Sequence, residues 1–243
     1  PIIAACMQWI SKAELVAAVS EAGGLGVLSS STFFTAEDLR AEIKKVKSLT
    51  DKPFAVNITF LPASFEPDFD GYIRVCKEEG VKIIETAGRI PSPERIATIK
   101  EIGFWMHKCT IVKHALKAQG AGCDMIFADG FECAGENDIG SMVLTPAMIK
   151  NLKVPVVTAG GVSTGRQMAA ALMLGAEGVY MGTRFLLTKE CPVLDCVKEQ
   201  IASSASEMDT PQLQKHHPRL QDRNDRERRC PREGRQALCR GSA

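Results

Sequence analysis

The sequence has few of the features that mark a metal, membrane or nucleic-acid protein. Its nine cysteines include no C-x-x-C pair and no Cys/His cluster at zinc-ligand spacing, so no metal is expected. No apolar run reaches the roughly 20 residues that a membrane helix needs, and no membrane span is expected. Thirty Lys+Arg against twenty-nine Asp+Glu leave a formal charge of +1, which provides no global field for nucleic acid. The segment after the first apolar stretch, "AACMQWIS", contains no glycine. That absence argues against a dinucleotide-binding open sheet, which carries its glycine fingerprint there. Histidine is scarce, with four in the chain, and the stretch "GFECAGENDIGSM" at 130–142 has none.

What is present is a repeat of short β-branched runs and longer helical patterns. The runs "PIIAA", "GLGVLS", "FAVNIT", "KIIETA", "FWMHK", "MIFAD", "PVVTAG" and "GVYMGT" read as strands. Between them lie "SKAELVAAVSEAG", "TAEDLRAEIKKVKSL", "FDGYIRVCKEEG", "SPERIATIKEIG", "TIVKHALKAQGAG", "TPAMIKNL" and "STGRQMAAALMLGAEG", with apolar residues at helical spacing and Ser or Thr at several starts. Alternating strands and helices predict an α/β fold, a (β/α)8 TIM barrel with an incomplete or disordered carboxyl-terminal end. The predicted organisation is a barrel over 1–208 and a basic, disordered tail over 209–243, where few large apolar residues remain. The scattered cysteines read as reduced thiols of a cytoplasmic protein. The chain starts at Pro1 inside an apolar segment, and an upstream targeting segment is left open. Oligomeric state is not legible.

Barrel enzymes place their chemistry at the carboxyl ends of the strands. Those tips hold Met7, Asn57, Glu85, Lys108, Asp129, the 130–142 stretch, Gly160, Gly161, Gly182 and Thr183. The glycine-bearing turns after the seventh and eighth strands are expected to bring backbone N–H groups close to a phosphate. Glu85 and Lys108 are placed to pair across adjacent strand tips. Strand alternation turns His107 away from the barrel interior.

Through "PIIAACM", "TDKPFAVNITF", "GVKIIETAG", "HKCTIVKHALKAQGAGCDMIFADGFECAG" and "VPVVTAGGVSTGRQMAAALMLGAEGVYMGTRFL", the chain resembles the nitronate monooxygenase (2-nitropropane dioxygenase) family. These are FMN-dependent barrels related to flavin-dependent enoyl-acyl-carrier-protein reductases. The resemblance implies FMN as cofactor and an alkyl nitronate and O2 as small-molecule substrates, yielding a carbonyl compound and nitrite. It implies that Ala5 and Met7 lie against the isoalloxazine, that Asn57 meets its polar edge and that Lys108 sits near its pyrimidine end. Asp129 and Gly135 then flank the sixth strand, and Gly160, Gly161, Gly182 and Thr183 hold the phosphate. Relatives carry a histidine shortly after "ECAG", the proposed base for neutral nitroalkanes, whereas here Gly135 runs directly into Glu136. Lys108 and Glu136 are left as the catalytic candidates. Two alternatives follow from that departure: an NAD(P)H-dependent flavin reductase of enoyl-thioester or quinone type, and a catalytically impaired flavin-binding protein.

Overall fold

Eight short parallel strands build one continuous sheet in the computed structural model, which describes residues 2–61, 67–134 and 137–204. They are β1 (Ile2–Ala4), β2 (Gly26–Ser29), β3 (Phe54–Phe60), β4 (Ile83–Gly88), β5 (Phe104–Cys109), β6 (Met125–Asp129), β7 (Val156–Ala159) and β8 (Gly178–Met181). The strand order is β1-β8-β7-β6-β5-β4-β3-β2. The two ends meet through an Ile3–Leu25 bridge, with the Ala4 N–H donating to Leu25 O at 2.9 Å and the Leu25 N–H to Ile2 O at 3.0 Å. The ring so formed is the predicted (β/α)8 barrel, and each strand read from the sequence is a strand here.

The intervening helices are α1 (Ala13–Glu21), α2 (Ala36–Leu49), α3 (Phe69–Glu78), α4 (Pro93–Ile102), α5 (Val112–Gly120), α6 (Ser141–Asn151) and α7 (Gly165–Met173). A four-residue α8 (Thr183–Leu186) follows β8. The cap residues behave as read at α2, where Thr35 and Asp38 form a capping box, at α7 with Thr164 and Gln167, and at α4 with Ser92. Two differ. Ser11 does not cap α1 but bridges Ala5 O and the Met7 N–H at 3.0 and 2.9 Å, fixing the chain just past β1. Helix α6 starts four residues before the expected Thr145, because the Glu132 carboxylate accepts from the Ser141 N–H at 2.9 Å and its hydroxyl at 3.1 Å. That carboxylate satisfies a donor the first turn would otherwise leave open, and Pro146 consequently lies inside the helix.

Period-two alternation sorts the strand residues into two cores. Outward residues such as Ile58, Ile84, Trp105 and Ile126 pack with the helices, while Ile3, Val27, Ala55, Met106, Phe127, Val157 and Tyr180 fill the barrel interior. One pleat further along, the interior turns polar at Asn57, Glu85, Lys108 and Asp129. The barrel unit ends at Pro192, and a second unit begins at Val193. Within the second unit α9 (Asp195–Ser204) is described; the expected boundary at 208 and the tail 209–243 lie outside the described residues. Among the described residues, no helix is long and apolar enough to cross a membrane, and no His/Cys/Asp/Glu group is arranged to hold a metal ion.

Candidate active site

The registers pair Asn57 with Glu85 and Glu85 with Met106, so Asn57 and Glu85 stand side by side and Lys108 lies one pleat further along β5. All three side chains point inward, and the long Lys108 side chain reaches the Glu85 carboxyl inside the barrel. The Lys108 Nζ lies 3.2 Å from Glu85 Oε1. The same oxygen accepts from Asn57 Nδ2 and the Tyr180 hydroxyl, each at 2.9 Å, and from the Cys6 thiol at 3.3 Å. Lys108 also donates to Cys6 Sγ at 3.3 Å and stands 4.5 Å over the Tyr180 ring. Glu85 is fully buried, yet its Oε2 has no partner among the described residues.

The charges in this cluster follow from burial and pairing. Burial pushes the Lys108 pKa down, but the opposing pull of neighbouring acidic groups, Glu85 and Asp129 among them, outweighs it and holds the ammonium well above the ordinary lysine range. Burial, and then Glu85, push the Cys6 thiol up to about 12, with Lys108 opposing. Burial, Cys6 and Glu85 likewise raise Tyr180. Both remain neutral donors at pH 7, which leaves one ion pair, Lys108 with Glu85, at the centre.

This cluster forms part of a cavity of about 940 Å3 at the carboxyl-terminal end of the barrel, lined among others by Cys6, Asn57, Lys108, Asp129, Ala134 and Asn137. A comparable cavity of about 960 Å3 opens at the opposite end, among Ile3, Phe54, Phe104 and Met125, and holds none of the predicted residues. The structure thus brings Asn57, Lys108 and Asp129 together. Ala5, Met7 and Gly182 meet one another at the β1 and β8 tips, where a Cβ added to Gly182 would lie 3.6 Å from Ala5 Cβ and 3.7 Å from Met7 Sδ.

Gly160 and Gly161, at φ +98° and +72°, turn the chain after β7 in a conformation that favours glycine. The N–H groups of Gly161 and Val162, and of Thr183 and Arg184 on the neighbouring tip, have no acceptor among the described residues. This donor set fits a phosphate. The Glu132 side chain lies over Gly161, but its carboxylate is turned onto the first turn of α6.

Of the 130–142 stretch, Gly135 and Glu136 lie outside the described residues. The rest is pinned: Asn137 Nδ2 donates to Gly130 O at 3.0 Å and the Phe131 N–H to Ile139 O at 2.7 Å. Cys133 lies against Gly160, its thiol raised by burial and by hydrogen-bonded Asp129.

Sequence reasoning missed Cys6, Tyr180 and Asn137. Tyr180 had a legible signal, since it occupies an inward position of β8; Cys6 and Asn137 lie beyond strand ends, where alternation gives no direction.

His107 faces the helices as expected, its Nδ1 2.6 Å from Thr86 Oγ1, which also receives the Trp105 indole N–H at 2.7 Å. Burial, with His114 as a lesser cause, depresses its pKa from 6.5 to about 4. The folded state therefore binds the neutral ring, and the unfolded state takes up the extra proton first. That contribution is complete above pH 6.5 and is lost as pH falls toward 4, amounting to about 3 kcal/mol. Urea unfolding of His107→Gln should show a flatter stability profile than wild type across that window; parallel profiles would refute the assignment.

The chain matches the family profile described as nitronate monooxygenase over residues 1–216. It is 39% identical over 205 residues to a Mycobacterium tuberculosis protein named (3aS,4S,5R,7aS)-5-hydroxy-7a-methyl-1-oxo-octahydro-1H-indene-4-carboxyl-CoA dehydrogenase, covering 82% of this chain and 56% of that protein. The chain thus spans little more than half of that relative's length. A probable nitronate monooxygenase of Staphylococcus saprophyticus is 33% identical, with 86% of this chain and 71% of the relative covered. Among solved structures, FabK from Thermotoga maritima superposes with a TM-score of 0.77 at 37% identity, over 83% of this chain and 63% of FabK.

Proposed function

The chain belongs to the nitronate monooxygenase family, and on that footing we propose that it is an FMN-dependent oxidoreductase, cytoplasmic, which oxidises alkyl nitronates with O2 to a carbonyl compound and nitrite. The observation that carries this reading is the Lys108–Glu85 pair at the base of a large cavity, beside strand tips that offer unpaired backbone donors. Bound FMN would supply the two-electron acceptor.

The chain's own residues have distinct tasks in this reading. Gly160, Gly161, Gly182 and Thr183 hold the phosphate through backbone N–H groups. Ala5 and Met7 provide an apolar wall, Asn57 meets the polar edge of the ring, and Asp129 bounds the site at β6. Lys108 holds a fixed positive charge where an anionic substrate, or negative charge gained in the reaction, is stabilised. Tyr180, Cys6 and Asn57 orient Glu85, which in turn orients Lys108. Glu136 is the remaining carboxyl candidate for proton handling.

A nitronate arrives already deprotonated, so its oxidation does not require the base that the 130–142 stretch lacks. Nitrite release should therefore be at least about a hundredfold faster with propyl-2-nitronate than with 2-nitropropane, because general-base assistance is typically worth that much. Comparable rates on the two substrates would sink this part of the reading.

A second reading is favoured by the higher identity to the CoA dehydrogenase and to FabK than to the nitronate monooxygenase: NAD(P)H-dependent redox chemistry on an acyl thioester. Reduction of the bound flavin by NADH without nitronate would distinguish it.

A further inference from the structure

The cavity has a second cationic region, away from the phosphate cradle. Arg89 follows β4, while His114 and Lys117 stand one helical turn apart on α5, and all three line the cavity. In the sheet order, β6 separates β4 and β5 from β7 and β8, and Gly160, Gly161, Gly182 and Thr183 are not among the residues that line this cavity, so the rim is a different subsite from those glycine tips. Arg89 and Lys117 are exposed and have no ion-pair partner among the described residues. On α3 and α4 the cations Arg95, Lys77 and Lys100 are paired with Asp70, Glu101 and Asp124; Lys113 on α5 and Lys150 on α6 have no ion-pair partner among the described residues either, but they do not line the cavity. Leu61 and Ile90 add apolar surface to the same wall.

A nitronate is small, and one buried cation, Lys108, suffices to meet it. Unpaired cations at the mouth, an apolar wall and a buried cation below suit a long ligand with a polyanionic end outside and a reacting end inside. We propose that the Arg89–His114–Lys117 rim docks the pyrophosphate arm of an elongated co-substrate. Two kinds of molecule carry such an arm to a flavin site, coenzyme A thioesters and pyridine dinucleotides. This inference rests on the flavin-oxidoreductase reading of the same cavity, and it names a ligand class for the β4–β5 side.

The test is calorimetric titration of the full FMN-loaded chain with coenzyme A, with NADH and with N-acetylcysteamine, which has no phosphate. Arg89→Gln and Lys117→Gln should each weaken the pyrophosphate carriers by about tenfold, the usual effect of removing one charge-assisted contact. Binding should also weaken with added salt. N-acetylcysteamine, FMN affinity and the exposed control Lys150→Gln should show no such change. Loss confined to coenzyme A assigns the rim to a thioester, and loss confined to NADH assigns it to a dinucleotide. Wild-type affinity for both carriers in the Arg89→Gln/Lys117→Gln double variant, or no binding of either carrier to the wild type at millimolar concentration, overturns the proposal. Failure of the flavin reading is separately visible as a chain that does not take up FMN, and the titrations can be repeated on that flavin-free chain.

Discussion

Lys108→Met is expected to lower nitrite release from a nitronate by about a hundredfold or more, the scale seen when a preorganised charge at the reacting centre is removed. It should also destabilise the chain by about 3–5 kcal/mol, because Glu85 would remain buried without its counter-charge. The two effects are separable. In Lys108→Met/Glu85→Gln both charges are absent, Asn57 and Tyr180 retain an oxygen to which they can donate, and most of the stability should return without the activity. Urea midpoints and nitrite assays on the single and double variants make the comparison. Wild-type turnover in Lys108→Met would remove Lys108 from the chemistry, and a double variant as unstable as the single would show that the ion pair is not the source of the loss.

Gly161→Asp is expected to reduce FMN affinity by more than about a hundredfold, since a like charge set against an anion costs several kcal/mol. The added Cβ meets Glu132 Cγ at 3.4 Å, an ordinary contact, and Asp is among the residues that tolerate a φ of +72° best. The fold should therefore survive, as far-ultraviolet circular dichroism would report. Gly161→Asn has the same shape without the charge and should retain most of the affinity. Visible absorbance during FMN titration reads both variants. Equal loss in the two would mean that backbone geometry, rather than the anion, is what the site requires of this glycine.

These predictions depend on the sequence and the structure to different degrees. The eight strands were legible because each is a short apolar run bounded by turn residues, and a period of two allows only one inward set. The β7 and β8 glycines were legible because a turn at positive φ leaves few residue types to choose from. The extent of α6 was not: its first turn depends on Glu132, nine residues before Ser141 in sequence, and no local pattern announces that bond. The meeting of Cys6, Glu85, Lys108 and Tyr180 was legible only in its Glu85–Lys108 part, where the strands are neighbours. The other two members, Cys6 just past β1 and Tyr180 on β8, are 174 residues apart.

By itself, then, the sequence determined the barrel, the end of it that carries polar groups and the glycines that suit an anion, because periodicity and turn chemistry are local properties of the chain. Closure of the sheet decided which of those groups touch. It set one carboxyl oxygen of Glu85 against four donors, left the other oxygen without a partner among the described residues and placed Arg89 and Lys117 on the wall of the same cavity as Lys108. The physical reason is that a parallel ring brings distant segments into register through long-range hydrogen bonds, and the interactions of a buried charge depend on that arrangement in space rather than on its neighbours along the chain.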